Sequence, residues 1–281
     1  MSSRASRHSV STTSSNASRA SVSIWDAIGS TPQTTPFSSP ASSLTRPSSH
    51  DSTGTGALLF SRPVIVSFSK GTSLFRIPLS RIDVCKDAAG GIRKINMSSD
   101  SSMRENVFTL NFPNSRMPIP HLEQPYSARS SSAYRISFLE EQTLQSGGSL
   151  FQGKPSFAFD RWEDCLRLQE TILGQQVVFV GGMAEAKSKR GEECISQNLR
   201  ILHSNSSGGK ATMIFFTNSQ RREQRRYVSV PLSAVSKIET SRRSITMKLS
   251  GDTELLADMR SLTVQFLEDD DRERFLGIVR N

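Results

Sequence analysis

Beyond about residue 56, hydrophobic and polar residues alternate along most of the chain, and a period of two predicts strands with one buried face. Residues 106–112 set Phe108, Leu110 and Phe112 against Val107, Thr109 and Asn111. Residues 63–68, 74–77, 82–85 and 134–139 read the same way, as do residues 92–97 after the turn pair Gly90-Gly91. Residues 113–133 hold prolines at 113, 118, 120 and 125 and a serine run, which predicts a long surface loop. Gly147-Gly148 predicts a second flexible patch.

The period then changes. Trp162, Cys165, Leu166, Gln169, Ile172 and Leu173 recur at helical spacing, with Gln169 the one polar member. An amphipathic helix of about 14 residues follows, laying one stripe on a sheet. Asp160 suits its N-cap, Glu163 completes a capping box, and Gly174 stands where a C-terminal cap belongs. Extended texture resumes at 176–180 and 194–203, separated by the linker Lys187-Ser188-Lys189-Arg190. Further strands are expected at 211–216, 227–230, 235–239, 244–249 and 262–267. A short helix ends the chain, with Asp270 and Glu273 as a capping pair and Phe275, Leu276 and Val279 on its apolar face.

Two pairs of segments match internally. Ile77-Pro78-Leu79-Ser80 followed by Ile82 resembles Val230-Pro231-Leu232-Ser233 followed by Val235. Residues 136–141 resemble residues 264–269, each ahead of a capped helix. Together they predict one architecture used twice. A series of short strands with an Ile-Pro-Leu-Ser segment, closed by a helix carrying Trp162 near its start, resembles a pleckstrin-homology (PH) domain. The second copy departs from that pattern, holding Arg272, Phe275 and Leu276 with no Trp. The resemblance implies a mainly β (α+β) chain with PH-like modules at 57–174 and 175–281. Each would be an antiparallel barrel or sandwich capped by a C-terminal helix. It also implies a non-catalytic adaptor or scaffold.

Composition adds a third region. Residues 1–56 are rich in Ser and Thr and poor in large apolar side chains, which predicts a disordered tail. Thr31, Thr35 and Ser39 precede prolines and Ser21 follows Arg19 closely, so these are candidate phosphorylation sites. Ile24, Trp25, Ala27 and Ile28 form the tail's one apolar cluster, a possible docking peptide. Cys85, Cys165 and Cys194 are too few and too far apart for a disulfide framework or a zinc knuckle. The start lacks the apolar run of a signal peptide, and Val177-Val178-Phe179-Val180 is too short to span a bilayer. A cytoplasmic chain, peripheral at a membrane if it touches one, is expected.

Candidate chemistry is basic rather than catalytic. His8, His50, His121 and His203 stand apart, and no HExxH, GxSxG or P-loop motif occurs. The acidic runs Glu140-Glu141 and 268–271 read as charge at helix starts. No cofactor or metal is expected. The net charge of +9 suits an acidic partner. Arg221, Arg222, Arg225 and Arg226 crowd one connection between strands, and four guanidinium groups on one loop suit phosphates. Lys210, Arg242 and Arg243 would add to that field if their loops converge. PH domains that bind phosphoinositides carry basic residues between their first two strands. Taken as residues 204–210, that loop holds only Lys210. An anionic membrane lipid is the expected partner, an acidic protein or peptide the alternative. With aromatics at 7%, nucleic acid is not expected.

Overall fold

Inward-facing apolar residues on alternate positions build two antiparallel sheets in a computed structural model of the chain. It describes residues 55–70, 73–87, 90–99, 107–112, 118–127, 133–204, 209–218, 227–250 and 259–280. The tail with Ser21, Thr31, Thr35 and Ser39 lies outside these residues. The first sheet comprises β1 (Thr55–Lys70), β2 (Ser73–Lys86), β3 (Ile92–Ser98), β4 (Val107–Asn111), β5 (His121–Leu122), β6 (Tyr134–Ser137), β7 (Gln142–Ser146), β8 (Ser149–Gly153) and β9 (Ser156–Phe159). Helix α1 (Trp162–Leu173) follows. The second sheet comprises β10 (Gln175–Ser188), β11 (Gly191–Ser204), β12 (Ala211–Phe216), β13 (Tyr227–Pro231), β14 (Val235–Thr240), β15 (Ser244–Leu249) and β16 (Ser261–Phe266), and α2 (Asp269–Val279) ends it.

The sheets run β5-β6-β9-β1-β2-β3-β4-β7-β8 and β13-β12-β11-β10-β16-β15-β14. Set the β7–β8 hairpin aside and the two orders coincide. In each, the first strand is central, with the second to fourth on one side and the last, sixth and fifth on the other. In each, a helix follows the last strand.

The matched sequence segments, however, fall on non-equivalent strands of that order. Ile77-Pro78-Leu79-Ser80 lies in β2, the second strand; Val230-Pro231 ends β13, the fourth, and leads into a 3₁₀ turn at Leu232–Ala234. Both prolines sit where one side of the strand is unpaired. β2 pairs with β3 only from Arg81 onward, and β13 pairs only with β12. A strand with one free side can hold a residue that lacks an N–H, so the shared motif marks a local tolerance rather than a shared place. Residues 136–141 leave β6, whereas 264–269 leave β16; the strand equivalent to β16 is β9.

The helices lie where their periodicity placed them, but neither start is capped as expected. The N-caps are Arg161 and Glu268, both extended, and neither makes a side-chain cap hydrogen bond. Asp160 instead faces Arg62 at 3.7 Å. Charge does the work of a cap: Glu163 and Asp164, and Asp269 to Asp271, sit in the first turns. Gly174 takes the left-handed conformation (φ 65°) and its N–H donates to Glu170 O at 2.8 Å, as expected.

The first core is built by both sheets. It joins the interior of the first sheet and Cys165, Leu168, Ile172 and Leu173 of α1 to Val177, Val180, Leu202 and Ile214 on the outer face of the second sheet. The second core holds Phe179, Met183, Leu199, Ile201, Met213 and Phe215 under Phe275 and Leu276 of α2. A bulge between Val177 and Phe179 lets Val177 and Val180 face outward while Phe179 faces inward. The two units are thus packed together.

Two loop expectations need correcting. The described part of 113–133 is no surface loop: Pro120 and Leu122 are buried and β5 pairs with β6. Prolines carry no N–H, so this segment buries with fewer donors to satisfy. Gly147-Gly148 is a tight hairpin turn joining β7 to β8, with Gly147 at φ 54°. Strand β1 also begins at Thr55, just inside the segment read as tail.

Candidate functional site

Between the sheets lies a polar seam. Arg200 on β11 is 1% exposed, and its Nη1 donates to Gln169 Oε1 of α1 at 2.9 Å. Burial brings its pKa down to about 10. Its guanidinium stands 5.7 Å from the centre of the Phe216 ring. His121 of β5 meets the same ring edge-on at 4.7 Å and shares a hydrogen bond with Gln197 Oε1 at 3.2 Å. Burial lowers the His121 pKa below its usual value; the Gln197 bond opposes this and Arg200 adds to it.

Asn198 clamps the segment after β5. Its Nδ2 donates to Leu122 O (3.2 Å) and Gln124 O (2.7 Å), and its Oδ1 accepts from Tyr126 N (2.6 Å). A Cβ added at Gly182 of β10 would stand 2.8 Å from Tyr126 O, so only glycine lets the strand and this segment approach so closely. Ser127 Oγ donates to Glu268 at 2.5 Å, tying the segment to the start of α2. Asp271 accepts from Gly182 N at 3.3 Å and pairs with Arg274 at 2.8 Å, while burial raises its pKa. The seam's polar groups are spent on one another and fix how the two units sit. Burial also keeps the Cys165 thiol beside Gln169 protonated, raising it strongly, and in the second core it raises Cys194 to about 12.

The basic cluster predicted from sequence belongs to the other functional candidate. Arg221, Arg222, Arg225 and Arg226 lie outside the described residues, but their connection leaves β12 and enters β13 at the pair Phe216–Tyr227. Antiparallel strands alternate in direction, so the β10–β11 turn opens at the same sheet end, closing at Ser188–Gly191. That turn carries Lys189 and Arg190, with Lys187 just before it paired to Glu185 at 2.7 Å. Asn218 ties the two turns together: its N donates to Glu193 O (3.1 Å), its Nδ2 donates to Glu192 (2.7 Å), and its Oδ1 accepts from Ile195 N (3.1 Å).

The first hairpin of the second sheet is therefore Lys187-Ser188-Lys189-Arg190, not residues 204–210. Its two-residue turn reads as a linker because the strand ends around it are polar. Lys210 follows the β11–β12 turn, and Arg242 and Arg243 tip the β14–β15 hairpin, both at the opposite sheet end. There Arg272 Nη1 donates to the carbonyls of Ser241 (2.7 Å) and Arg242 (3.0 Å), beside the acidic start of α2. Lys210, Arg242 and Arg243 thus do not converge on the β12–β13 connection.

No family model matches the chain, and no curated protein or solved structure matches it. Among the described residues, no helix is long and apolar enough to cross a membrane. Of the seam residues, Gln169 gave a sequence signal as the polar member of an apolar stripe, and Glu268 and Asp271 as part of an acidic helix start. His121, Gly182, Asn198 and Arg200 gave none, because their partners lie far off along the chain.

Proposed function

We propose that the chain is a non-catalytic binding protein of two PH-like modules, and that it associates with anionic, phosphoinositide-bearing membrane through the basic end of the second sheet. One observation carries this reading. The strand order sets the turn of Lys189 and Arg190, with Lys187 just before it, next to the connection that holds Arg221, Arg222, Arg225 and Arg226 in sequence. Guanidinium and ammonium groups gathered on adjacent turns suit clustered phosphates. The shared strand order with its closing helix supports the PH-like reading. Each cation near an anionic leaflet contributes about 1 kcal/mol, so such an end gives salt-sensitive binding.

The test is sedimentation with vesicles of phosphatidylcholine, with and without phosphatidylinositol bisphosphate. Binding is expected only with the phosphoinositide, falling with added salt and falling again in Lys189→Glu/Arg190→Glu and in Arg225→Glu/Arg226→Glu. Binding indifferent to salt and to both variants refutes the reading. An acidic or mixed-charge protein partner is the second reading. It is favoured by the acidic sequence of the β15–β16 connection, Asp252, Glu254 and Asp258, which lies outside the described residues and whose flanking strands end on the side of the β10–β11 turn. They would repel a uniformly anionic surface.

A further inference from the structure

A second surface, independent of the basic end, lies beside the seam. Trp162 at the start of α1 stands 4.5 Å from Tyr126 and 5.2 Å from Tyr134, centre to centre, and the tyrosines lie 6.4 Å apart and 25° from parallel. All three rings are partly exposed. The tyrosines border a crevice walled by Pro125, with Gln124, Ala133 and Arg135 at its rim. Among the described residues, the side-chain donors of Tyr126, Tyr134, Trp162, Gln124 and Arg135 make no hydrogen bond to protein. Aromatic faces with unused donors suit one ligand class in particular. A proline-bearing extended strand packs its rings on aromatics, and its carbonyls have no partners of their own.

The chain itself holds such a segment. Residues 31–47 carry Pro32, Pro36, Pro40 and Pro47 with Phe37 among them, and no charge occurs from 27 to 45. The chain enters the fold close by: a Cβ at Gly56 would lie 3.3 Å from Thr171, on the last turn of α1. At 1.5 Å per residue, Thr171 stands about 14 Å along the helix from Trp162. Pro47 and Pro32 precede Thr55 by 8 and 23 residues. Even the shorter stretch spans about 27 Å when extended, so the tail reaches the crevice without strain.

We propose that residues 31–47 dock in cis on the Tyr126–Tyr134–Trp162 face. The docked tail covers an aromatic surface that would otherwise meet water, and its donors receive the proline segment's carbonyls.

Photo-crosslinking in the full chain tests this. Ala133→p-benzoylphenylalanine places the reactive group at the rim, where the native side chain is exposed and supplies no donor. Heavy- and light-isotope chains are mixed before illumination, so that cross-links within and between chains separate by mass. Cross-links to peptides from residues 31–47 of the same chain are expected. They should be lost when Pro32, Pro36, Pro40 and Pro47 are all changed to serine, and lost again in Tyr134→Ser. The proline variant touches only the tail, so it decides the matter if Tyr134→Ser loosens the fold. Cross-links centred on residues 23–28, links between heavy and light chains, or no link to the tail would each overturn the proposal. None of these outcomes depends on vesicle binding.

Discussion

The two sheets share a strand order yet treat the end of their first hairpin in opposite ways. In the first sheet that end is closed by rings: Phe68 packs against Phe75 at 5.4 Å and against Phe151 of the extra β7–β8 hairpin at 5.1 Å. In the second, the described residues at the matching end include no such hairpin and carry Lys187, Lys189 and Arg190. The helices differ in the same sense. α1 packs into the first core and against the outer face of the second sheet, whereas α2 closes only the second core. An inserted hairpin and a shared helix turn the first unit toward packing. The second unit, held from behind, keeps its hairpin end available for contact.

The sharpest way to break this division is at the shared helix. Gln169→Leu leaves the buried Arg200 without its acceptor. A buried charged group stripped of its partner costs about 3 kcal/mol or more. Urea unfolding followed at both sheets should show the two units losing stability together. Adding Arg200→Met removes the stranded charge and should recover most of the loss. If Gln169→Leu destabilises only the first unit, the seam does not couple them.

A smaller effect is expected from acid. The His121 pKa is lowered in the fold, chiefly by burial, so the unfolded chain takes up this proton first. His121 faces Gln197, Arg200 and Glu123. Its contribution is therefore steady above the ordinary histidine pKa of about 6.5 and declines as pH falls through that value toward the folded one. The difference in unfolding free energy between wild type and His121→Gln, taken from pH 7.5 to pH 5, isolates this group. A gap that narrows steadily with acid is expected; a constant gap would mean that the ring titrates alike in the folded and unfolded states.

The elements that were readable in the sequence are those whose cause is local. The stripe Trp162 to Leu173 and the glycine after it announce α1 because helix periodicity and the left-handed cap are short-range facts. Alternation announces the strands for the same reason. The hairpin at Lys187 to Arg190 was obscured because polar residues occupy both strand ends, so a two-residue turn looks like a spacer. Asn198 and its backbone partners near Leu122 are 76 residues apart, and nothing near either marks the other. The proline motif misled for an instructive reason: Pro78 and Pro231 satisfy the same local condition, a strand free on one side, in two different strands of the order.

The weakest perturbation sharpens the contrast between the two ends of the second sheet. Arg242 and Arg243 are as basic as Lys189 and Arg190, and from sequence they belong to one field. In the fold they tip the β14–β15 hairpin at the other end, where Arg272 braces the backbone and Glu268, Asp269 and Asp270 start the neighbouring helix. An anionic surface approaching them meets carboxylates as well. Both side chains are exposed, so Arg242→Ala/Arg243→Ala should change stability by no more than about 0.5 kcal/mol. Vesicle sedimentation by this variant should match wild type at every salt concentration, while Lys189→Glu/Arg190→Glu weakens it. Equal losses from both pairs would mean that net charge rather than position governs binding, and that strand order has no bearing on where the partner sits.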